Sequence, residues 1–182
     1  MEKRPDPIGP NLWRIASRCA PVALAILGGT AQPDAAQARE VTLTTTMNDT
    51  YRGVGGYVIW YITDPERGNY KGTLWAAGRS TRYYGQFRHW WRATAPISKT
   101  RHKEYDGISG ASLERGEVLT VTVEIADELF DAGYVIRVDS TVQEGHDYPS
   151  DVVVPLTSEM AGVPVEGQGY VASVRFDLVA KP

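Results

Sequence analysis

From Tyr170 to Leu178 the chain alternates strictly, with Tyr170, Ala172, Val174, Phe176 and Leu178 apolar or small and Ser173, Arg175 and Asp177 between them. A period of two sends successive side chains to opposite faces of an extended backbone, so this run predicts a half-buried strand with the first set turned inward. The same period returns at Val41, Leu43 and Thr45, at Leu119, Val121, Val123 and Ile125, and at Tyr134, Ile136 and Val138, with Val152-Val153-Val154 as a shorter run. Tyr57 to Thr63 is apolar on both faces, which predicts a central strand covered on both sides. Turn signals separate these runs, such as Asp64-Pro65-Glu66-Arg67-Gly68-Asn69 and Asp131-Ala132-Gly133. Six or seven such strands predict an all-β fold, an immunoglobulin-like antiparallel β-sandwich. No strand–helix–strand alternation is present, which disfavours a Rossmann or flavodoxin-like sheet.

One stretch breaks the pattern. Tyr83, Tyr84, Phe87, Trp90 and Trp91 fall at helical spacings, and they predict one short amphipathic helix, or two turns, lying across the sandwich. Arg82, Arg88 and Arg92 then stand at its solvent edges.

The amino terminus reads as an address. Lys3, Arg4, Arg14 and Arg18 precede the apolar run Ala20–Leu27, Gly28-Gly29 breaks it, and Ala36-Gln37-Ala38 is a small-x-small site of the kind signal peptidase accepts. This layout predicts a secretory signal peptide over residues 1–38, a β-sandwich domain over 39–182, and periplasmic residence. The apolar run is too short to span a bilayer stably, so no lasting membrane insertion is expected after cleavage. Cys19, the one cysteine, lies in the removed segment, so the mature chain has neither disulfides nor a thiolate metal site.

Composition closes off other classes. Hydrophobic residues make up 42% of the 182 and charged residues 23%, which excludes disorder and a polytopic membrane protein. The net charge of -3 gives no reason to expect nucleic acid. That charge is unevenly spread: seven basic residues and no acidic one lie between Arg79 and Lys103. A positive, aromatic-rich patch on an acidic protein is a candidate anion or redox-cofactor surface. Its plainer reading is a solvated face whose arginines pair with nearby acidic strands.

Directly after that window stands Asp106-Gly107-Ile108-Ser109-Gly110-Ala111-Ser112. It resembles the flavinylation motif recognised by the bacterial FMN transferase of exported proteins: Asp, two variable residues, Ser or Thr, Gly, Ala, then Ser or Thr. Here the last position is Ser112, where threonine is usual. The resemblance implies FMN linked covalently to Ser112 through a phosphodiester, with Asp106 recognised by the transferase and Ser109, Gly110 and Ala111 forming a small-residue approach. A phosphodiester keeps one negative charge, which Arg101, His102, Lys103 and Arg115 are near enough in sequence to offset. Trp90, Trp91 and Tyr105 are the rings expected to stack on an isoalloxazine.

A second resemblance runs from about Arg39 to Lys181. Gly56-Tyr57-Val58-Ile59-Trp60, Phe87-Arg88-His89-Trp90-Trp91-Arg92 and the Ser-Gly-Ala-Ser loop look like domain of unknown function 2271, a family of predicted periplasmic proteins. It implies association with PepSY-type membrane proteins and iron-linked redox systems. The function implied is an extracytoplasmic electron carrier, rather than a stand-alone enzyme, working beside a membrane redox partner. The competing expectation is a non-enzymatic sandwich module that binds a partner protein or a metal. His89, His102 and His146 lack the spacing of a zinc site, and no Ser stands in a G-x-S-x-G elbow. No metal ligands and no catalytic residues are therefore assigned.

Overall fold

The run that is apolar on both faces becomes the middle of the structure. In the computed structural model, which describes residues 37–66, 68–143 and 145–180, Tyr57–Ile62 all lie in the interior. They belong to β2 (Val54–Thr63), which pairs antiparallel with β3 (Tyr70–Ala77) on one side and β6 (Val135–Gln143) on the other. Beyond β6 lies β7 (Asp147–Pro155), and beyond β3 lies the two-residue β4 (Ser109–Gly110), so this sheet runs β4-β3-β2-β6-β7. The second sheet runs β5-β1-β9-β8, from β5 (Val118–Ala126), β1 (Ala38–Met47), β9 (Val171–Leu178) and β8 (Val165–Glu166). The fold is an all-β sandwich. Among the described residues every strand pair is antiparallel except β3 with β4, which departs from the wholly antiparallel expectation. The segment read as a signal peptide lies outside the described residues, apart from Gln37 and Ala38. Its expected cleavage point, before Arg39, falls just after the first residue of β1.

Between the sheets the inward residues form the main core, among them Val41, Leu43, Trp60, Ile136, Val138, Val174 and Phe176. The Trp60 indole N–H donates to Thr45 Oγ1 at 2.8 Å, so the one polar atom of that ring is satisfied inside.

Register shifts occur at several places in the two sheets, and two of them change which residues reach the core. In β9 it is Val171, not Ala172, that is buried: the register shifts at Thr46/Met47, pairing Thr46 with Ser173 and Met47 with Val171 and leaving Ala172 as the extra residue. Leu178, expected inside, is 38% exposed at the strand's end. The other bulge is in β3, a strand the sequence pattern does not announce. Trp60 pairs with Trp75 and Tyr61 with Thr73, so Leu74 is inserted between them, and Leu74 and Trp75 both pack on the main core.

The aromatic segment after β3 folds as two short pieces, a 3-10 turn at Thr81–Gln86 and α1 (Arg88–Ala93), laid across the outer face of β2. Tyr57, Ile59, Tyr61 and Ala76 from the sheet meet Tyr84, Phe87 and Trp90 there in a second core. A six-residue helix cannot hold itself in water. Burying each large apolar side chain contributes about 1.5–3 kcal/mol, so this contact is what keeps α1 folded.

A buried carboxylate fixes its position. Asp139 of β6 is fully enclosed. Its Oδ2 accepts the backbone N–H groups of His89 (3.1 Å) and Trp90 (3.0 Å), and its Oδ1 accepts Ser150 N–H (2.7 Å) and the Tyr61 hydroxyl (3.0 Å). It does for α1 what an N-cap side chain normally does, from another strand. Burial pushes this carboxyl above the usual carboxylate range, while the four donors pull the other way.

Candidate functional site

The residues of the flavinylation-like segment form one continuous edge. Gly107 turns the chain at φ +78°, a left-handed conformation that a side chain would strain. Ile108–Gly110 then run beside the end of β3: Ala76 N–H donates to Ile108 O at 3.1 Å and Gly78 N–H to Gly110 O at 3.0 Å. Gly110 eases that approach, since a Cβ there would stand a tight 3.2 Å from the Trp75 ring. The chain next crosses to the start of β2, where Gly56 and Leu113 exchange backbone hydrogen bonds of 2.7 and 2.8 Å. Leu113 is buried and anchors the crossing.

Ser112 lies between these two attachments, half-buried, with Ala111 and Ser109 exposed before it. Its Oγ accepts the Arg79 backbone N–H at 2.9 Å, and it makes no other side-chain hydrogen bond among the described residues. Gly55 is its neighbour: a Cβ on Gly55 would be 3.4 Å from Ser112 Cβ and 3.8 Å from Gln143 Nε2. Gln143 in turn donates to the Tyr57 hydroxyl at 3.2 Å. The Arg79 side chain is exposed and has no hydrogen bond or ion pair among the described residues. A hydroxyl beside small residues that is held to one backbone N–H suits a phosphate ester: the bulk is low and the donor matches an anion. On that donor set, the segment fits FMN attached at Ser112.

Two of the other sequence-selected residues, Trp90 and Arg101, are committed to packing elsewhere. Trp90 is fully buried, its N–H donating to Thr73 Oγ1 at 2.8 Å and its ring packed among Tyr84, Phe87 and Tyr105, so it offers no face to a ligand. Its helical spacing marks a core stripe. Arg101 is 8% exposed: its guanidinium stacks 3.7 Å over the Trp91 ring and donates to Thr94 Oγ1 (2.6 Å) and Trp91 O (3.1 Å). That pair braces the α1 segment, and no hydrogen bond or ring contact joins it to Ser112. Arg88 is ion-paired with Asp147 at 2.8 Å. Lys103, His102 and Asp106 are exposed. The basic window is therefore partly structural, as its plainer reading expected.

Sequence reasoning missed the surroundings of Ser112. Gly53, Val54 and Gln143 lie in the wall of a groove of about 650 Å³ whose other sides are Tyr51, Arg52, His146, Tyr148 and Tyr170. The rings form a chain, with Tyr51 and Tyr148 each meeting Tyr170 edge to face at 5.0 Å. Burial raises the Tyr51 and Tyr170 phenol pKa values, so both are neutral at ordinary pH. These residues come from three distant stretches, and no local spacing signals them.

Among the described residues no three His, Cys, Asp or Glu side chains come together as a metal site. Nor is any helix among them long and apolar enough to cross a membrane. No curated protein and no solved structure matches the chain. One family model does match, over residues 38–173, which covers the sandwich from β1 into β9. The chain belongs to that family, the predicted periplasmic proteins of domain of unknown function 2271.

Proposed function

We propose that this protein is an extracytoplasmic electron carrier that holds FMN through a phosphodiester on Ser112. The observation that carries the reading is the setting of Ser112: a half-buried hydroxyl on an edge segment, preceded by the exposed small residues Ser109 and Ala111 and held to one backbone N–H at 2.9 Å. A nucleophile that must react inside another enzyme has to be presented in this way. Maturation by an FMN transferase forms a bond from Ser112 Oγ to the FMN phosphorus. It breaks the pyrophosphate of a flavin dinucleotide, releasing the nucleoside monophosphate and the hydroxyl proton.

With the ester in place the Arg79 N–H would be available to the phosphate, and the Arg79 side chain would supply a positive charge to offset it. Gly55, Gly110 and Ala111 leave room beside the ester. When bound, the flavin supplies the redox chemistry, and the sandwich supplies its position and local charge. Asp106, exposed at the head of the segment, is the recognition element for the transferase. The partner that gives or takes electrons is a PepSY-type membrane redox protein.

The test is to export the full chain from cells making an FMN transferase and to look for flavin fluorescence that survives denaturing electrophoresis. Fluorescence in the wild type and in Ser109→Ala, lost in Ser112→Ala and reduced in Asp106→Ala, is the expected pattern. Equal fluorescence in Ser112→Ala would move the attachment elsewhere, and none in any chain would end the reading.

A further inference from the structure

The groove beside Ser112 has a shape and a chemistry of its own. At about 650 Å³ it is within the range of sites that hold a small organic molecule. Its aromatic side is fixed before anything binds. The Tyr170 hydroxyl accepts the His146 backbone N–H at 3.0 Å, and Gly145 presses so close to it that a Cβ there would stand 2.7 Å from that oxygen. Tyr148 packs directly on Gly169, where a Cβ would fall 2.2 Å from the ring. Both glycines are close approaches that any side chain would fill. Tyr148 is nonetheless 36% exposed, and Val54 on the same wall is 68% exposed. The polar side is equally defined. Arg52 has no hydrogen bond or ion pair among the described residues, and Gln143 keeps its carbonyl oxygen uncommitted.

We infer that this groove seats the isoalloxazine ring of the flavin carried on Ser112, with Tyr148 as its stacking face. The inference rests on the covalent reading above and names a place for the ring. Two observations join the groove to the attachment point: Gly53 and Val54 of its wall directly precede Gly55, where a Cβ would stand 3.4 Å from Ser112 Cβ, and Gln143 of the wall lies 3.8 Å from that same position. An isoalloxazine has an apolar benzenoid edge and a pyrimidine edge of carbonyls and N–H groups. Phenol faces match the first, and the Gln143 amide and Arg52 guanidinium match the second. A positive charge at the pyrimidine edge favours the anionic reduced ring, which makes Arg52 the cation that tunes it. Tethering makes weak intrinsic affinity sufficient, because a short link raises the local ligand concentration into the millimolar range.

Electron transfer from a stacked phenol quenches flavin emission, so the fluorescence lifetime reads the contact without any activity assay. In the flavin-loaded protein the lifetime is expected to lengthen in Tyr148→Ala, and also in Tyr148→Leu, which keeps bulk over Gly169. Covalent loading should be unchanged. Trp91→Ala should leave the lifetime as it is. In a second arm, free riboflavin is titrated with unloaded Ser112→Ala protein up to about 1 mM. Its quenching should saturate, and adding Tyr148→Leu should weaken binding roughly 2- to 10-fold.

A loaded protein whose lifetime ignores Tyr148, or responds to Trp91 instead, overturns the groove and leaves Ser112 attachment standing. An unloaded chain that takes no FMN yet binds riboflavin in a Tyr148-dependent way upholds the groove and overturns the attachment. Riboflavin whose emission is unaffected by the protein, together with a Tyr148-independent lifetime, removes the inference altogether.

Discussion

Replacing Asp139 with asparagine leaves the shape of the second core intact and changes one oxygen into a donor. The native carboxylate serves two pairs of donors, Tyr61 OH with Ser150 N–H, and His89 N–H with Trp90 N–H. If the amide keeps its oxygen on the helix, its NH2 faces Tyr61 and Ser150. The Tyr61 hydroxyl can turn to accept, but the Ser150 N–H is left against a donor. The opposite orientation strands both helix N–H groups, so the first is preferred and one buried donor goes unsatisfied. That costs about 1–3 kcal/mol, and losing the charge-assisted bonds to the remaining partners adds to it. We expect about 2 kcal/mol, or a fall in Tm of roughly 6 °C for a domain of this size. Asp139→Ala strands three backbone donors, and on the same scale it should cost about 4 kcal/mol, a large part of typical domain stability. Urea unfolding followed by tryptophan fluorescence measures both. Tyr61→Phe sharpens the test, because without the hydroxyl the asparagine NH2 has no acceptor and the double variant should lose more than the sum of the singles. An Asp139→Asn protein within about 0.5 kcal/mol of wild type, the ordinary range for surface substitutions, would refute the capping role.

Two further outcomes follow from the same packing. Gly78→Ala places a Cβ 2.2 Å from the ring of Tyr57, which is fully buried, and overpacking of this kind costs roughly 1–3 kcal/mol. Gly85→Ala, which meets nothing within 4 Å, should be neutral or slightly stabilising in the same urea unfolding. Burial, with Asp139 close by, pushes the Tyr61 phenol far above its ordinary 10.0, and burial with the Glu104 contact does the same for Tyr70. Folded-state values above the unfolded ones mean that this contribution is complete below about pH 10 and is lost as pH rises beyond it. Phenolate absorbance from these two rings should therefore appear only together with unfolding. Titration of every tyrosine near pH 10 with the fold intact would contradict it.

Much of the fold is legible because alternation and burial coincide. Tyr57–Thr63 reads as covered on both faces and is, since α1 supplies the second cover. The aromatic spacing at Tyr84, Phe87 and Trp90 reads as helical for the same reason. What is hidden are places where one residue is added to a strand: Leu74 breaks the period of β3 and conceals it, and Ala172 shifts Val171 into the core. Neither bulge has a local marker, because each is defined by a partner strand.

The candidate site divides in the same way. Asp106 to Ser112 is a contiguous pattern and can be read from the chain. The Arg79 N–H, Gly55 and the tyrosine groove become neighbours only when β2, β6, β7 and the segment before β9 meet at one end of the sandwich. Trp90 and Arg101 show the converse: residue types suited to a flavin that the fold uses for packing.

Intact mass of the exported protein, made beside an FMN transferase, tests the central claim most directly when wild type is compared with Ser112→Ala. The account predicts that wild type carries the mass of FMN less one water, that the addition maps to the peptide holding Ser112, and that the alanine chain shows only its own mass. Two bare chains, in cells where a known substrate of the transferase is fully modified, would contradict it.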